Sequence, residues 1–150
     1  MKRNLRNKHL FILFAILCLT GCTAMGNNDV KPVMSEDPDV ASRLFPALAG
    51  IESVEMEILK YGGSHPRDAL PSPTDYRYRG YITLSEEAAD RYVGTYLFTD
   101  AEPDISFEVL ERREGQWRYS EEFQKDVLKE GLVGNVWLGG RTLLFDIGTM

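Results

Sequence analysis

Apolar positions recur along this chain with three different spacings, and each predicts a different kind of element. Leu10 to Leu19 is an unbroken apolar run of ten residues. Farther on, Val54, Met56 and Ile58 alternate with Ser53, Glu55 and Glu57, the period-two pattern of a half-buried strand. Tyr76 to Leu84 alternates again, placing Tyr76, Tyr78, Ile82 and Leu84 on one face and Arg77, Arg79, Tyr81 and Thr83 on the other. Ser85 then stands as an N-cap before Glu86 and Glu87, and Ala88, Ala89, Tyr92, Val93 and Tyr96 follow at helical spacing. Ser120 caps a second helix with Phe123, Val127 and Leu128 on its apolar side and Gly131 as its stop. Asp39 would cap a short helix over 40–45, ended by Pro46. Ile105–Arg112 reads as a strand, although Ile105, Val109 and Arg112 also fit helical spacing, with Glu114-Gly115 as the turn of a hairpin into 116–119. Val133–Leu138 and Arg141–Ile147 flank Gly139-Gly140, a two-residue hairpin signal. The pattern predicts an α+β fold of about six short, mostly antiparallel strands with two or three helices packed on one side.

The apolar run at the N-terminus does not belong to that fold. Lys2, Arg3, Arg6 and Lys8 precede it with no acid between them. It is shorter than the roughly 20 apolar residues that cross a bilayer, and it fits the apolar core of a secretory signal. Leu19-Thr20-Gly21-Cys22 follows at once. These four residues resemble the lipobox of bacterial lipoproteins. The resemblance implies a signal peptide over 1–21, cleavage before Cys22, and a diacylglycerol on the Cys22 thiol. Two acyl chains at about 0.8 kcal/mol per buried CH₂ make such an anchor lasting. Residues 22–39 then read as the lipidated cysteine and a flexible tether, and 40–150 as a single domain large enough for one core.

Removing 1–21 changes the charge. Four of the 17 basic residues stand before the cut and all 23 acids after it, leaving 13 against 23, a net charge of −10. A surface of that sign repels phosphate backbones and disfavours nucleic-acid binding. The cysteine and histidine counts restrict the chemistry as well. Cys18 leaves with the signal and Cys22 carries lipid, so no thiol remains for a disulfide, a zinc site or a nucleophile. His9 leaves too, and His65 is the one histidine of the mature chain. No metal or cofactor is expected.

The loop over 62–75 holds His65, Arg67, Asp68 and Asp75 within two glycines and three prolines. A histidine beside an acid is a candidate general base, although a lone loop histidine among ordinary acids is the preferred reading. Arg77, Arg79 and Tyr81 share a strand face and are candidate contacts for a carboxylate ligand or a partner; a solvated face with the arginines paired to nearby acids is preferred. Trp117, Tyr119 and Trp137 would form a sugar-stacking platform if their strand face were open, and core side chains if it were not, the core being preferred. No G-x-S-x-G elbow and no phosphate-cradling glycine loop occurs.

A broader resemblance rests on Pro71-Ser72-Pro73-Thr74-Asp75-Tyr76, Arg79-Gly80-Tyr81-Ile82-Thr83-Leu84, Gln116 to Phe123, and Leu143-Leu144-Phe145-Asp146. These stretches resemble small bacterial lipoproteins without an assigned activity. The resemblance covers roughly 51–147 and implies a fold without supplying a catalytic residue. The expectation is an extracytoplasmic, membrane-anchored binding or interaction module of the cell envelope, with an envelope protein or glycan as partner. The alternative is an enzyme or small-ligand binder using the 62–75 loop and the Arg77/Arg79 face. Where the cell has two membranes, Thr23 after the cysteine resembles outer-membrane sorting, facing the periplasm.

Overall fold

The computed structural model describes residues 31–61 and 75–149. The expected signal, the lipobox, His65 and Arg67 lie outside the described residues. The elements run β1 (Val33–Ser35), α1 (Pro38–Leu44), β2 (Ile51–Tyr61), β3 (Asp75–Leu84), α2 (Glu86–Thr95), β4 (Thr99–Ala101), β5 (Trp117–Tyr119), α3 (Glu121–Val127), β6 (Leu132–Gly139) and β7 (Thr142–Thr149). Seven strands form one sheet in the order β1-β2-β3-β7-β6-β5-β4, and every neighbouring pair is antiparallel. The fold is α+β, as the alternation of strand and helix periods implies.

Local chemistry accounts for the helix starts. The Ser85 hydroxyl accepts from the Ala88 amide and that of Ser120 from the Phe123 amide, each satisfying an N–H that the helix itself leaves free. The first helix begins earlier than expected. Asp37, not Asp39, is its cap, accepting from the Asp39 amide, and Pro38 takes the first helical position, where its missing N–H costs nothing. With β1 already paired to β2 at Val33, ordered chain reaches into the segment expected to be tether. The last hairpin also shifts by one residue. Gly139 closes β6 opposite Thr142, and the two-residue turn is Gly140-Arg141, with Gly140 in the left-handed region at φ 57°.

The sheet's two faces differ. One carries Val54, Met56, Ile82, Leu84, Val136, Leu138, Leu143, Phe145 and Ile147 and is covered by all three helices through Ala41, Leu44, Ala88, Ala89, Tyr92, Phe123 and Val127. Phe145 meets Phe45 edge-on at 5.2 Å, and Phe123 sits within 5.4 Å of the rings of Tyr92, Tyr96 and Phe98. The other face carries Tyr81, Trp117, Trp137 and Leu144 and is covered by residues 102–116 through Ile105, Phe107 and Leu110. That segment is the main departure from the expected elements. Ile105–Arg112 forms no strand and makes no hairpin with β5; it crosses the sheet as an irregular strap. No helix among the described residues is long and apolar enough to cross a membrane.

Candidate functional site

The register defines rows of residues running across the strapped face, from the end where β2 stops and β3 starts (the near end) to the Gly140-Arg141 turn (the far end). Leu59, Arg77, Gly148 and Val133 form a row near the first. Glu57, Arg79, Asp146 and Asn135 form the next row on this face, then Glu55, Tyr81, Leu144 and Trp137, and finally Ser53, Thr83, Thr142 and Gly139, with Trp117 beside Gly139. Alternation therefore does put Arg77, Arg79 and Tyr81 on one face, but they do not face solvent together. Arg79 is 4% exposed and Tyr81 2%, both beneath the strap. The expected solvated face exists only at Arg77, because the strap supplies a second apolar layer over the rest.

Glu57 is the latch of that strap. Its carboxylate has no exposed surface, takes an ion pair from Arg79 Nη2 at 3.1 Å, and accepts the backbone N–H groups of Glu108, Val109 and Leu110 at 3.1, 2.5 and 2.6 Å. Three consecutive amides turned toward one carboxylate cannot also join a strand ladder, which is why the alternation of 105–112 fails to make one. Arg79 Nη1 donates to the Ser106 carbonyl, so the pair grips both arms of the strap. Burial alone would raise the Glu57 pKa; the amides of Leu110, Val109 and Glu108 and the Arg79 charge outweigh it and hold the carboxyl below its ordinary range. Farther along, the Arg113 amide donates to the Tyr81 hydroxyl at 2.9 Å, its guanidinium lies 4.4 Å from the centre of the Tyr81 ring, and Nη2 reaches Glu55.

Two open regions flank the strap. At the near end a shallow groove of about 380 Å³ lies between Tyr61 and Val133, with Gly148 in its floor and Arg77 paired to Asp146 at its back. Both nitrogens of that guanidinium fork engage the carboxylate, and Asp146 raises the Arg77 pKa further. At the far end a larger cleft of about 640 Å³ opens beside Trp117, with Asp100, Arg113, Glu114, Gln116 and Thr142 around it. Trp117 and Trp137 are both buried in the strapped layer, in agreement with their core reading and without an open aromatic platform. Gly139 leaves room for the indole: a Cβ there would stand 2.8 Å from Trp117 Cε3. No group of three His, Cys, Asp or Glu side chains that could hold a metal occurs among the described residues.

The alternation in the sequence places Arg77, Arg79 and Tyr81 on one face without showing that Arg79 and Tyr81 are buried, and it does not single out Glu57, Arg113 or the far-end cleft. Glu57 did carry a signal: it shares a strand face with buried Leu59, so an acid stands where an apolar cover would have to accommodate it. No family model, curated protein or solved structure matches the chain.

Proposed function

We propose that the protein is a lipid-anchored, extracytoplasmic module that binds a protein or glycan of the cell envelope at its far-end cleft and performs no catalysis. One observation carries this reading. The chain leading from Cys22 enters β1 from the near end, pairing with Met56–Ile58 of β2, whereas the cleft of about 640 Å³ opens at the far end of the sheet. A domain tethered in this way directs Trp117, Gln116 and Arg113 away from the surface that holds it. The cleft's mixture of cations, carboxylates, an amide and an indole edge suits a polar partner better than an apolar small molecule.

The reading of an enzyme or small-ligand binder on the Arg77/Arg79 face has less behind it. Arg79 is occupied by Glu57 and the Ser106 carbonyl, and Arg77 by Asp146, so the two guanidiniums do not converge on a shared ligand position.

Two measurements test the proposal. The mature protein isolated from membranes should begin at Cys22 with added diacylglycerol mass, and Cys22→Ala should move it to the soluble fraction; a membrane-bound Cys22→Ala protein would refute the anchor. A photo-crosslinking residue at Gln116 should capture an envelope component that the same residue at exposed Asp90 does not. Equal capture at both positions would refute the cleft.

A further inference from the structure

The near end carries its own chemistry. Seven large apolar side chains are markedly exposed among the described residues, and four of them, Val33, Met34, Tyr61 and Val133, lie on the near half of the sheet. Val33 is 66% exposed, Val133 41% and Tyr61 39%. From β1 to β6 they span four strand spacings, about 19 Å, with Met34, Tyr61 and Val133 on the strapped face and Val33 on the helix-covered one. Exposed lysines accompany them: Lys31 just before β1, Lys60 beside Tyr61, and Lys129 just before β6. Acids stand among them too: Asp29 two residues before Lys31, Glu36 just after β1, Asp75 opposite Tyr61 in the β2–β3 register and Glu130 next to Lys129, so the charge there is mixed.

The length and attachment of the preceding chain say what meets this end. Ten residues separate Cys22 from Val33. Eleven chain steps reach at most about 40 Å fully extended, and a relaxed coil of that length spans about 18 Å. The strands themselves are about 30 Å long at roughly 3.4 Å per residue, so the near end is the part of the domain that the anchor brings to the bilayer. Tyrosine prefers the boundary where its ring is apolar and its hydroxyl wet, and lysine stems lie along apolar surface while the ammonium stays in water.

We infer that the near end, through Val33, Tyr61 and Val133 with Lys31 and Lys60 at the rim, is a docking surface for the bilayer interface that holds the domain upright on the membrane. The inference rests on Cys22 being the lipid anchor, and its test separates the two. Once Cys22 is acylated, the mature chain holds no other thiol, so Lys60→Cys and Glu86→Cys each accept one environment-sensitive fluorophore, at the near and far ends. The lipidated proteins, verified by mass, are reconstituted into phosphatidylcholine vesicles and titrated with iodide.

The near-end label should be at least threefold less quenched than the far-end label, and Tyr61→Asp with Val133→Asp should abolish that protection. Equal quenching at the two positions in mass-verified protein would overturn the docking surface while leaving the anchor intact. Such a result would also be expected if the near end met a protein instead, since the vesicles contain none. Should the double substitution unfold the domain, the comparison of the two labels still decides. A mature chain without lipid mass would remove the anchor and the docking with it.

Discussion

Placing a carboxylate where no water reaches it costs several kcal/mol unless charge and hydrogen bonds replace the lost hydration. Glu57 receives four such replacements, three backbone amides and Arg79, and its role follows from that arithmetic. Glu57→Ala leaves Arg79 buried without its counter-charge and three strap amides without an acceptor. The expected loss is about 3–5 kcal/mol, read from urea unfolding. Glu57→Gln keeps the shape and an accepting oxygen and should lose less. The acid limb gives the sharper test. The folded-state pKa lies below the ordinary 4.5, so the unfolded chain takes up the proton first as pH falls. The Glu57 contribution is complete above that value and is lost as pH drops through the folded-state pKa. Unfolding free energy measured in steps below pH 4.5 should fall less steeply in Glu57→Gln than in the parent; identical slopes would show that the latch is not this carboxylate.

Elements were legible in proportion to how local their causes are. The Ser85 and Ser120 caps, the alternation of Tyr76–Leu84 and the glycine-marked hairpin each act within a few residues, and each element formed. The strap did not read as a strap because its conformation is set by Glu57, some 50 positions away in the chain, and nothing in the sequence of 102–116 announces three amides turned toward a carboxylate. For the same reason Arg79 and Tyr81 could be assigned to a face but not to a buried one. A second element-level cause was equally invisible. The edge of β6 beyond its short pairing with β5 is closed by a side chain: Gln124 Nε2 donates to the Gly134 carbonyl at 3.0 Å, and the Val136 amide donates to Gln124 Oε1 at 2.8 Å. The amide of α3 thus occupies the place a neighbouring strand's peptide would take. Gln124→Ala should cost about 1–3 kcal/mol through the unsatisfied Val136 amide. The bared edge should also promote self-pairing, visible in sedimentation as concentration-dependent association. A variant that remains monomeric with unchanged stability would show the bridge to be incidental.

On the scale of the whole molecule, the same strands that carry the core also fix a polarity, with the entry of the chain into β1 and four of the seven exposed apolar side chains toward one end and the polar cleft at the other. Docking and partner binding therefore need not compete, and they should respond differently to the tether. Contact between the near end and the bilayer is an intramolecular event once Cys22 is anchored. Its effective concentration falls roughly as the −3/2 power of tether length. Doubling the ten residues between Cys22 and Val33 with a glycine-serine insert after Gly26 should weaken that contact about threefold. The Lys60→Cys label would then show a measurable rise in iodide quenching. The insert adds no contact to the fold, so the midpoint of thermal unfolding in detergent should not move. Capture by the crosslinker at Gln116 should persist, because the far-end cleft is held open by Trp117, Gly139 and the strap rather than by distance from the membrane. If lengthening the tether leaves quenching unchanged and abolishes capture instead, the partner is met at a fixed height above the membrane, and the near end is a spacer rather than a foot.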